Sequence, residues 1–312
     1  MLIVLLSVLF AGFRVEELKP TRWEGDPASI SDFAIAPDGT LYFTYPGEGK
    51  IFCMDLSGNV LRELGKKGEG PNEFQYPSSL YWDGDKLYVN DSGRNMLYRI
   101  DPISGKFLAS WRFHAVEAFS IQGNHVVASL RIPIQDHIFG MSHLPENDVE
   151  IQFKTLMGDI PRSFQIPGAK RSAVLHSKDG NVWVGHTGEF LLTKYSRTGK
   201  RLTVIDTPMP DYVLPDENGP VDPRDPISAS ANVKRFDKIQ NLYELGDWLV
   251  LFRPKVLNNS YLDLFDAAGK RIASHKSNHL YPIGVHQDSF YAMRVSSGDE
   301  DWDMMLVKIH FK

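Results

Sequence analysis

One kind of turn recurs along this chain, and it limits the fold more than any other feature. Between runs rich in β-formers stand Pro37-Asp38-Gly39-Thr40, Asp83-Gly84-Asp85, Gln122-Gly123-Asn124, Lys178-Asp179-Gly180-Asn181, Leu245-Gly246-Asp247 and Gln287-Asp288-Ser289. Glycine, aspartate and asparagine are the residues of tight hairpin turns, which need backbone at positive φ. A second turn follows five of these: LSGN at 56–59, ISGK at 103–106, LMGD at 156–159, RTGK at 197–200 and AAGK at 267–270. From the glycine of the first turn to that of the second the offsets are 19, 21, 35, 19 and 23 residues. Four of the five agree closely, which is the mark of a structural repeat.

Each repeat reads as four short strands. In the first they fall at 30–36, 40–45, 50–56 and 60–64; in the second at 78–82, 86–90, 96–101 and 106–111. Tyr, Phe, Val, Ile and Leu dominate them, and no helical i, i+3, i+4 stripe of useful length occurs. A four-stranded unit with a period near 50 is a propeller blade, so the chain is expected to be all-β, a six-bladed β-propeller with four-stranded blades. The sixth unit provides only three strands, at 282–285, 290–295 and 304–311. Its fourth must come from elsewhere or the blade keeps an open edge. Residues 15–23 precede the first blade and are free to supply it, so the last blade is expected to be closed by an N-terminal strand.

That assignment bears on residues 1–13, MLIVLLSVLFAGF, which carry no charge. They are too few to span a bilayer, which takes roughly 20 apolar residues. A secretory-signal core fits the length and position, although no basic residue precedes it and the cleavage signal at Ala11-Gly12 is weak. The alternative is a buried first strand. Residues 14–312 then form one domain, secreted or periplasmic, with association at the cell surface compatible with the same signal. Cys53 is the one cysteine, so intramolecular disulfides and cysteine zinc clusters are excluded. With 42% hydrophobic and 23% charged residues the chain is globular, not disordered. A net charge of −5 argues against a general nucleic-acid surface.

Residues 64–101, LGKKGEGPNEFQYPSSLYWDGDKLYVNDSGRNMLYRID, resemble an NHL repeat: a glycine-rich segment, Phe74 and Pro77, a strand, a turn, LYVNDSGRNML and an apolar strand in that order. The GEGPNEF segment is similar to that of secreted bacterial six-bladed propellers of the broad TolB-like class. One blade carries the specific likeness, and the others share only turns and strand order. The resemblance implies the architecture and little about activity, because such propellers host binding modules, lactonases, lyases and scaffolds.

In a propeller the hairpin turns lie on one face, and the second-to-third-strand and blade-to-blade loops on the other. The extra length of the chain falls on that second face, in loops at 131–148 and 207–239. The latter holds Pro208, Pro210, Pro215, Pro220, Pro223 and Pro226, so it reads as a stiff loop, either presented for function or a plain surface insertion. Aligning the second strands puts Tyr45, Asp91, Arg131, His186, Arg253 and Arg294 where each strand leaves toward the same face. Three arginines and a histidine there would make a ligand site for a carboxylate, phosphate or sulfate. The competing reading pairs each arginine with a loop carboxylate such as Asp136, Glu189, Asp299 or Glu300. Asp32, Glu117 and Asn241 start innermost strands and form a weaker candidate set for Ca²⁺; no cofactor is otherwise expected. Tyr42, Phe43, Tyr88, Trp183 and Tyr291 are assigned to packing between blades, and Asp55, Asp101 and Asp266 to turn caps. The histidines, His176 among them, read as ordinary strand and surface residues.

These features point to a secreted or periplasmic interaction propeller, non-catalytic and monomeric. It would bind a protein, a peptide or an anionic small molecule at its loop-rich face, with no nucleic acid and no membrane span. The alternative is a metal-dependent hydrolase or lyase of the lactonase type with its site in the channel.

Overall fold

The computed structural model describes residues 9–10, 13–21, 23–114, 116–131, 137–146, 149–151, 154–155, 173–186, 190–206, 239–254, 259–278, 280–297 and 302–311. Two strands open the chain, β1 (Leu9–Phe10) and β2 (Phe13–Pro20). Blade one contains β3 (Phe33–Ile35), β4 (Leu41–Tyr45), β5 (Lys50–Met54) and β6 (Val60–Leu64). Blade two contains β7 (Pro77–Asp83), β8 (Lys86–Asp91), β9 (Met96–Ile100) and β10 (Phe107–Arg112). Blade three contains β11 (Val116–Gln122), β12 (His125–Arg131), β13 (His137–His143) and β14 (Lys154–Thr155). Blade four contains β15 (Val174–His176), β16 (Val182–His186), β17 (Leu191–Tyr195) and β18 (Arg201–Ile205). Blade five contains β19 (Asn241–Leu245), β20 (Trp248–Pro254), β21 (Asn259–Phe265) and β22 (Arg271–Asn278). Blade six contributes β23 (Leu280–His286), β24 (Ser289–Ser297) and β25 (Trp302–Phe311). These sheets are the antiparallel blades of a six-bladed β-propeller.

The turn chemistry explains the strand count. Gly39, Gly84, Gly123, Gly180 and Gly246 all sit at positive φ between first and second strands, and in blade six Gln287 takes that conformation at +52°. Gly58, Gly105, Gly199 and Gly269 do the same at the second turn. There Asp55, Asp101 and Asp266 accept backbone N–H bonds through their carboxylates, as turn caps.

Blades one, two and six, together with Leu144–Ile151, form one compact unit. Blade six is completed from the N-terminus: β2 pairs antiparallel with β25, with Phe13 opposite Phe311 and Val15 opposite Ile309. The closing strand begins at Phe13, two residues before the expected start. β1 pairs onto it through Phe10 and Phe13, so a piece of the apolar segment expected to precede the fold is a fifth strand of this sheet. The reason lies in Phe13, which is buried and meets Phe311 edge-on at 5.1 Å. One core of this unit lies between blades six and one, where Leu41, Phe43, Met293 and Leu306 meet. Another lies between blades one and two around Ile51, Leu64, Leu87 and Val89. Middle strands such as β4 and β8 are buried along nearly their whole length because both of their faces are covered.

The GEGPNEF segment clasps blade one to blade two. Phe74 is fully buried between Tyr98 and Phe107, and its backbone exchanges hydrogen bonds with Lys66 and Gly68. Asn72 adopts φ +58° and its side-chain oxygen accepts the Phe107 N–H at 2.8 Å.

Blades three, four and five form the second unit, with cores around Val127, Phe139 and Val184 and around Trp183, Leu249, Leu251 and Phe265. Its third blade corrects the expected position of the long loop. β13 follows β12 after residues 132–136 and pairs with it over seven positions, from Arg131 opposite His137 to His125 opposite His143. Residues 144–153 join the third and fourth strands, and the LMGD sequence at 156–159 comes after the fourth strand, so it is not the turn between them. Counting from the LMGD turn missed this, because a seven-pair ladder needs its partner strand immediately after the turn. The inserted segment joins the first unit at the edge of blade two: Arg112 N–H donates to Val149 O, Ile151 N–H to Arg112 O, and the Trp111 indole to Pro145 O. Residues 156–159 and 207–238 lie outside the described residues. All five aromatics assigned to packing are buried.

Removing the ring at the start of the closing strand tests its contribution. Phe13→Ala is expected to cost about 3–5 kcal/mol of stability, read from the urea unfolding midpoint.

Candidate functional site

Four of the six residues expected at a loop-face site have described side chains, and each is engaged within the protein. Tyr45 ends β4, half-buried, with its ring edge-on to Trp23 at 5.4 Å. Asp91 ends β8 with no exposed surface; its carboxylate accepts the N–H groups of Gln75, Tyr76 and Gly93, fixing the end of the GEGPNEF clasp. Arg294 pairs with Glu17 of the N-terminal strand. Arg131 and His186 end β12 and β16, opposite His137 and Leu191.

Arg253 is fully buried in the second unit. Its Nε donates to Asp263 Oδ2 at 2.5 Å, Arg271 approaches the other oxygen at 3.4 Å, and the guanidinium stacks over Tyr261 at 4.6 Å. The arginine partners are thus strand carboxylates, Asp263 and Glu17, and not the loop carboxylates. Asp136, Glu189, Asp299 and Glu300 lie outside the described residues. The cross-strand geometry brings Asp263 opposite Leu251, two residues before Arg253 on the same face of the ladder. An anion at Arg253 or Arg294 would have to displace a carboxylate already in contact.

Of the metal candidates, Asp32 is engaged within the fold. Asp32 accepts Phe33 N–H on one oxygen and Leu80 N–H on the other, both at 2.9 Å. Asn241 Oδ1 is buried, and Glu117 lies on β11. Among the described residues no group of three or more His, Cys, Asp or Glu side chains is placed to hold a metal ion.

Two constellations emerge that residue spacing did not signal. The first is a buried chain of polar groups between blades three and four. His176 Nδ1 meets Ser120 Oγ at 2.9 Å, and its Nε2 meets His125 Nδ1 at 2.7 Å. His176 N–H also donates to Ser120 Oγ. The His143 ring lies edge-on to His125 at 5.3 Å. One proton must sit between the two imidazoles, so protonating both would turn a hydrogen bond into a like-charge contact. Burial, followed by the charges of His125 and Arg197, pushes His176 down to about 3. Burial also lowers His125, helped by His143. Ser120 has no exposed surface, so this array serves packing and not nucleophilic attack.

The second is a pocket of about 290 Å³ on the turn face, at the seam of blades four and five. The turn Lys178-Asp179-Gly180-Asn181 forms one side. Gly180 at φ +83° closes it, and Asp179 Oδ1 accepts the Asn181 N–H. Lys194 stands directly opposite Trp183 in the ladder, so its ammonium lies over the indole at 5.2 Å and reaches Asp179 Oδ2 at 2.7 Å. Burial pushes the Asp179 carboxyl up, but Lys194 and the Asn181 and Ser177 donors outweigh it and hold it well below the usual carboxylate range. Glu244 reaches across from β19 to accept the Ser177 hydroxyl at 2.5 Å and the Lys178 N–H at 2.7 Å. Gly246, Asp247, Trp248 and Leu249 form the opposite side, with Asp266 and Ala267 from the second turn of blade five. The result is an apolar floor of Trp183, Ile205 and Leu249 under a charged rim, on the face opposite the one expected from loop length.

No protein-family model and no curated protein matches the chain. Solved structures do. A member of the DUF4221 family from Bacteroides vulgatus is 14% identical with a TM-score of 0.68, covering 96% of this chain and 98% of that one. A candidate exported protein of Bacteroides fragilis is 13% identical with a TM-score of 0.59, covering 96% and 95%. A streptogramin B lyase is 10% identical with a TM-score of 0.53, covering 96% and 98%. At these identities the likeness is one of fold. Among the described residues no helix is long and apolar enough to cross a membrane.

Two outcomes follow. Arg253→Ala leaves Asp263 buried with only a distant partner and is expected to cost about 3 kcal/mol or more in chemical denaturation, whereas replacing both by Met and Leu costs less. For His176 the folded pKa lies below the unfolded value near 6.5. Between pH 6.5 and about 3 the unfolded chain therefore binds the extra proton. Stability should fall as pH drops through that window, by about 1.4 kcal/mol per unit from this group. A His176→Gln variant, compared with wild type by urea midpoints at pH 7.5 and 5, should show a shallower loss.

Proposed function

We propose that this chain is an exported, non-catalytic binding propeller that takes its ligand in the pocket between blades four and five. The observation that carries the reading is the pocket itself: an apolar floor with tryptophan on both sides, rimmed by groups of both charges. Small-molecule sites have this composition, and a volume near 290 Å³ is at the lower end of their range of about 300–1,000 Å³. It suits one amino-acid side chain of a peptide, or a ligand of similar size. Arg253, Arg294 and Asp91 support the same choice from the other direction, since each is spent on holding the fold.

Export is supported by the charge-free apolar run 1–8 ahead of β1 and by the like fold of the Bacteroides fragilis protein. The GEGPNEF clasp, anchored on Asp91 of NDSGRN, supports kinship with NHL-type propellers. A net charge of −5 favours a peptide or small-molecule partner over nucleic acid. The protein is taken to act as a monomer.

Titration of a library of amino-acid amides and monosaccharides, followed by tryptophan emission, tests the reading. Binders should change the wild-type emission saturably. Trp248→Ala should weaken them about tenfold, as removal of an aromatic anchor does. Equal affinity in the variant, or no binder at all, would overturn it.

A further inference from the structure

On the reading that this pocket is the ligand site, we infer that it is sensitive to acid: protonation of the buried His125–His176 pair frees the blade-four turn that walls the pocket, and the site is lost. The turn at 177–181 is held from both sides, and the pair belongs to one of its two anchors.

On the pocket side the anchor is Glu244 of blade five, which accepts the Ser177 hydroxyl and the Lys178 N–H. On the far side the turn is tied to blade three in two ways. His176 directly precedes Ser177; its backbone N–H donates to Ser120 Oγ, and its ring bridges Ser120 and His125. Arg197, from the second turn of blade four, donates from Nε to Gly180 O at 2.8 Å. Its Nη2 reaches Gln122 Oε1 of blade three, and its backbone carbonyl accepts from the His125 ring. Blades three, four and five belong to one compact unit.

This relay runs in one direction. With Nδ1 of His125 turned to His176, Nε2–H is the donor to Arg197. His125 Nδ1 then accepts from His176 Nε2–H, and His176 Nδ1 accepts from the Ser120 hydroxyl. Every ring nitrogen is in use. A further proton would set two N–H groups against each other, or replace the Ser120 hydroxyl bond with a second N–H aimed at the same oxygen. Nor would its charge find a counter-ion. Among the described residues, the charges acting on the two rings are basic: Arg197, and His143, which is exposed on β13 with its ring 5.3 Å from His125. β11 contributes the neutral Ser120, and β16 sets Val182 opposite His176. The acidic groups of the turn face the pocket instead, Asp179 toward Lys194 and Glu244 toward Ser177 and Lys178. A buried imidazolium among basic groups gains by reaching water, and a local opening of the seam lets it do so. Because Ser177 and Lys178 follow His176 in the chain, that opening draws them away from Glu244.

The test is hydrogen exchange resolved to single amides on the intact protein at pH 7.5 and 5, expressed as protection factors so that the intrinsic pH dependence of exchange cancels. The His176 N–H reports the tie to blade three, and the Lys178 N–H reports the pocket wall. The open form restores His176 to its ordinary value near 6.5, so protection of both should fall about thirtyfold or more. At pH 5 their exchange should be indifferent to low urea, the mark of a local opening, while core-strand amides accelerate with it. His125→Gln with His176→Gln should leave the Lys178 protection level across the same range. A fall that persists in this variant would assign the response to Asp179 or Glu244 and overturn the inference. If the variant does not fold, the wild type decides: level protection, or a loss that tracks urea throughout, would overturn it. These amides report the turn whether or not anything binds, so their failure leaves the pocket as the site, whereas failure of the ligand library overturns the site itself.

Discussion

Strand β25 has its inner edge paired with β24, and its outer edge would face solvent as a row of ten residues with unpaired backbone groups. Such an edge invites association with other chains. β2 covers it, joining residues nearly three hundred positions apart in the sequence. Because β24 and β25 also carry Met293, Met304 and Leu306 into the core against blade one, order in the closing strand and order in that core depend on each other. Trp23, just beyond β2, stands edge-on to Phe43, Tyr45 and Phe52, so the same N-terminal segment continues into the hydrophobic seam. A contact of this span is slow to find and expensive in loop entropy. The aromatic contact of Phe13 with Phe311 supplies part of the compensation.

Between blades the protein repeatedly uses polar groups as joints. Asp32 reaches from blade one to the Leu80 N–H of blade two. Glu244 reaches from blade five to Ser177 and Lys178 of blade four, and Ser120 meets His176 between blades three and four. Each joint satisfies donors that apolar packing would leave unpaired, at a cost if one member is removed. Charged residues near strand ends therefore do not mark a ligand site by their type alone. Arg253 is the clearest case, with its charge matched by Asp263 at full burial.

The pocket differs from these joints in the one respect that matters for binding. Its tryptophans and part of its carboxylate rim line open space, and Asp179 is matched by Lys194. The turn face can form it because two short glycine turns from adjacent blades stand either side of it. The width of that gap is set by how blades four and five pack around Trp183, Leu249 and Phe265.

Much of the fold was legible because positive-φ turns are a local property. Glycines 39, 58, 84, 105, 180, 199, 246 and 269 could be recognised one by one, and their spacing carried the strand number and the four-stranded blade. The missing fourth strand of the last unit followed from counting, and the strand from Phe13 to Pro20 fills it. Blade three shows where local reading ends: the LMGD turn resembled the others, but the ladder from His125 to Arg131 selected its partner at His137–His143. The site residues were less legible still. Nothing in the spacing of Arg253 and Asp263 distinguishes a buried pair from a free guanidinium, nor announces that His176, His125 and Ser120 meet. By itself the sequence determined the repeat, the turns and the apolar strands, since each depends on residues close along the chain. Only the tertiary structure decided which charges are cancelled and where a cavity remains, since both depend on side chains brought together from distant positions, 67 residues apart for Ser177 and Glu244 and 277 for Glu17 and Arg294.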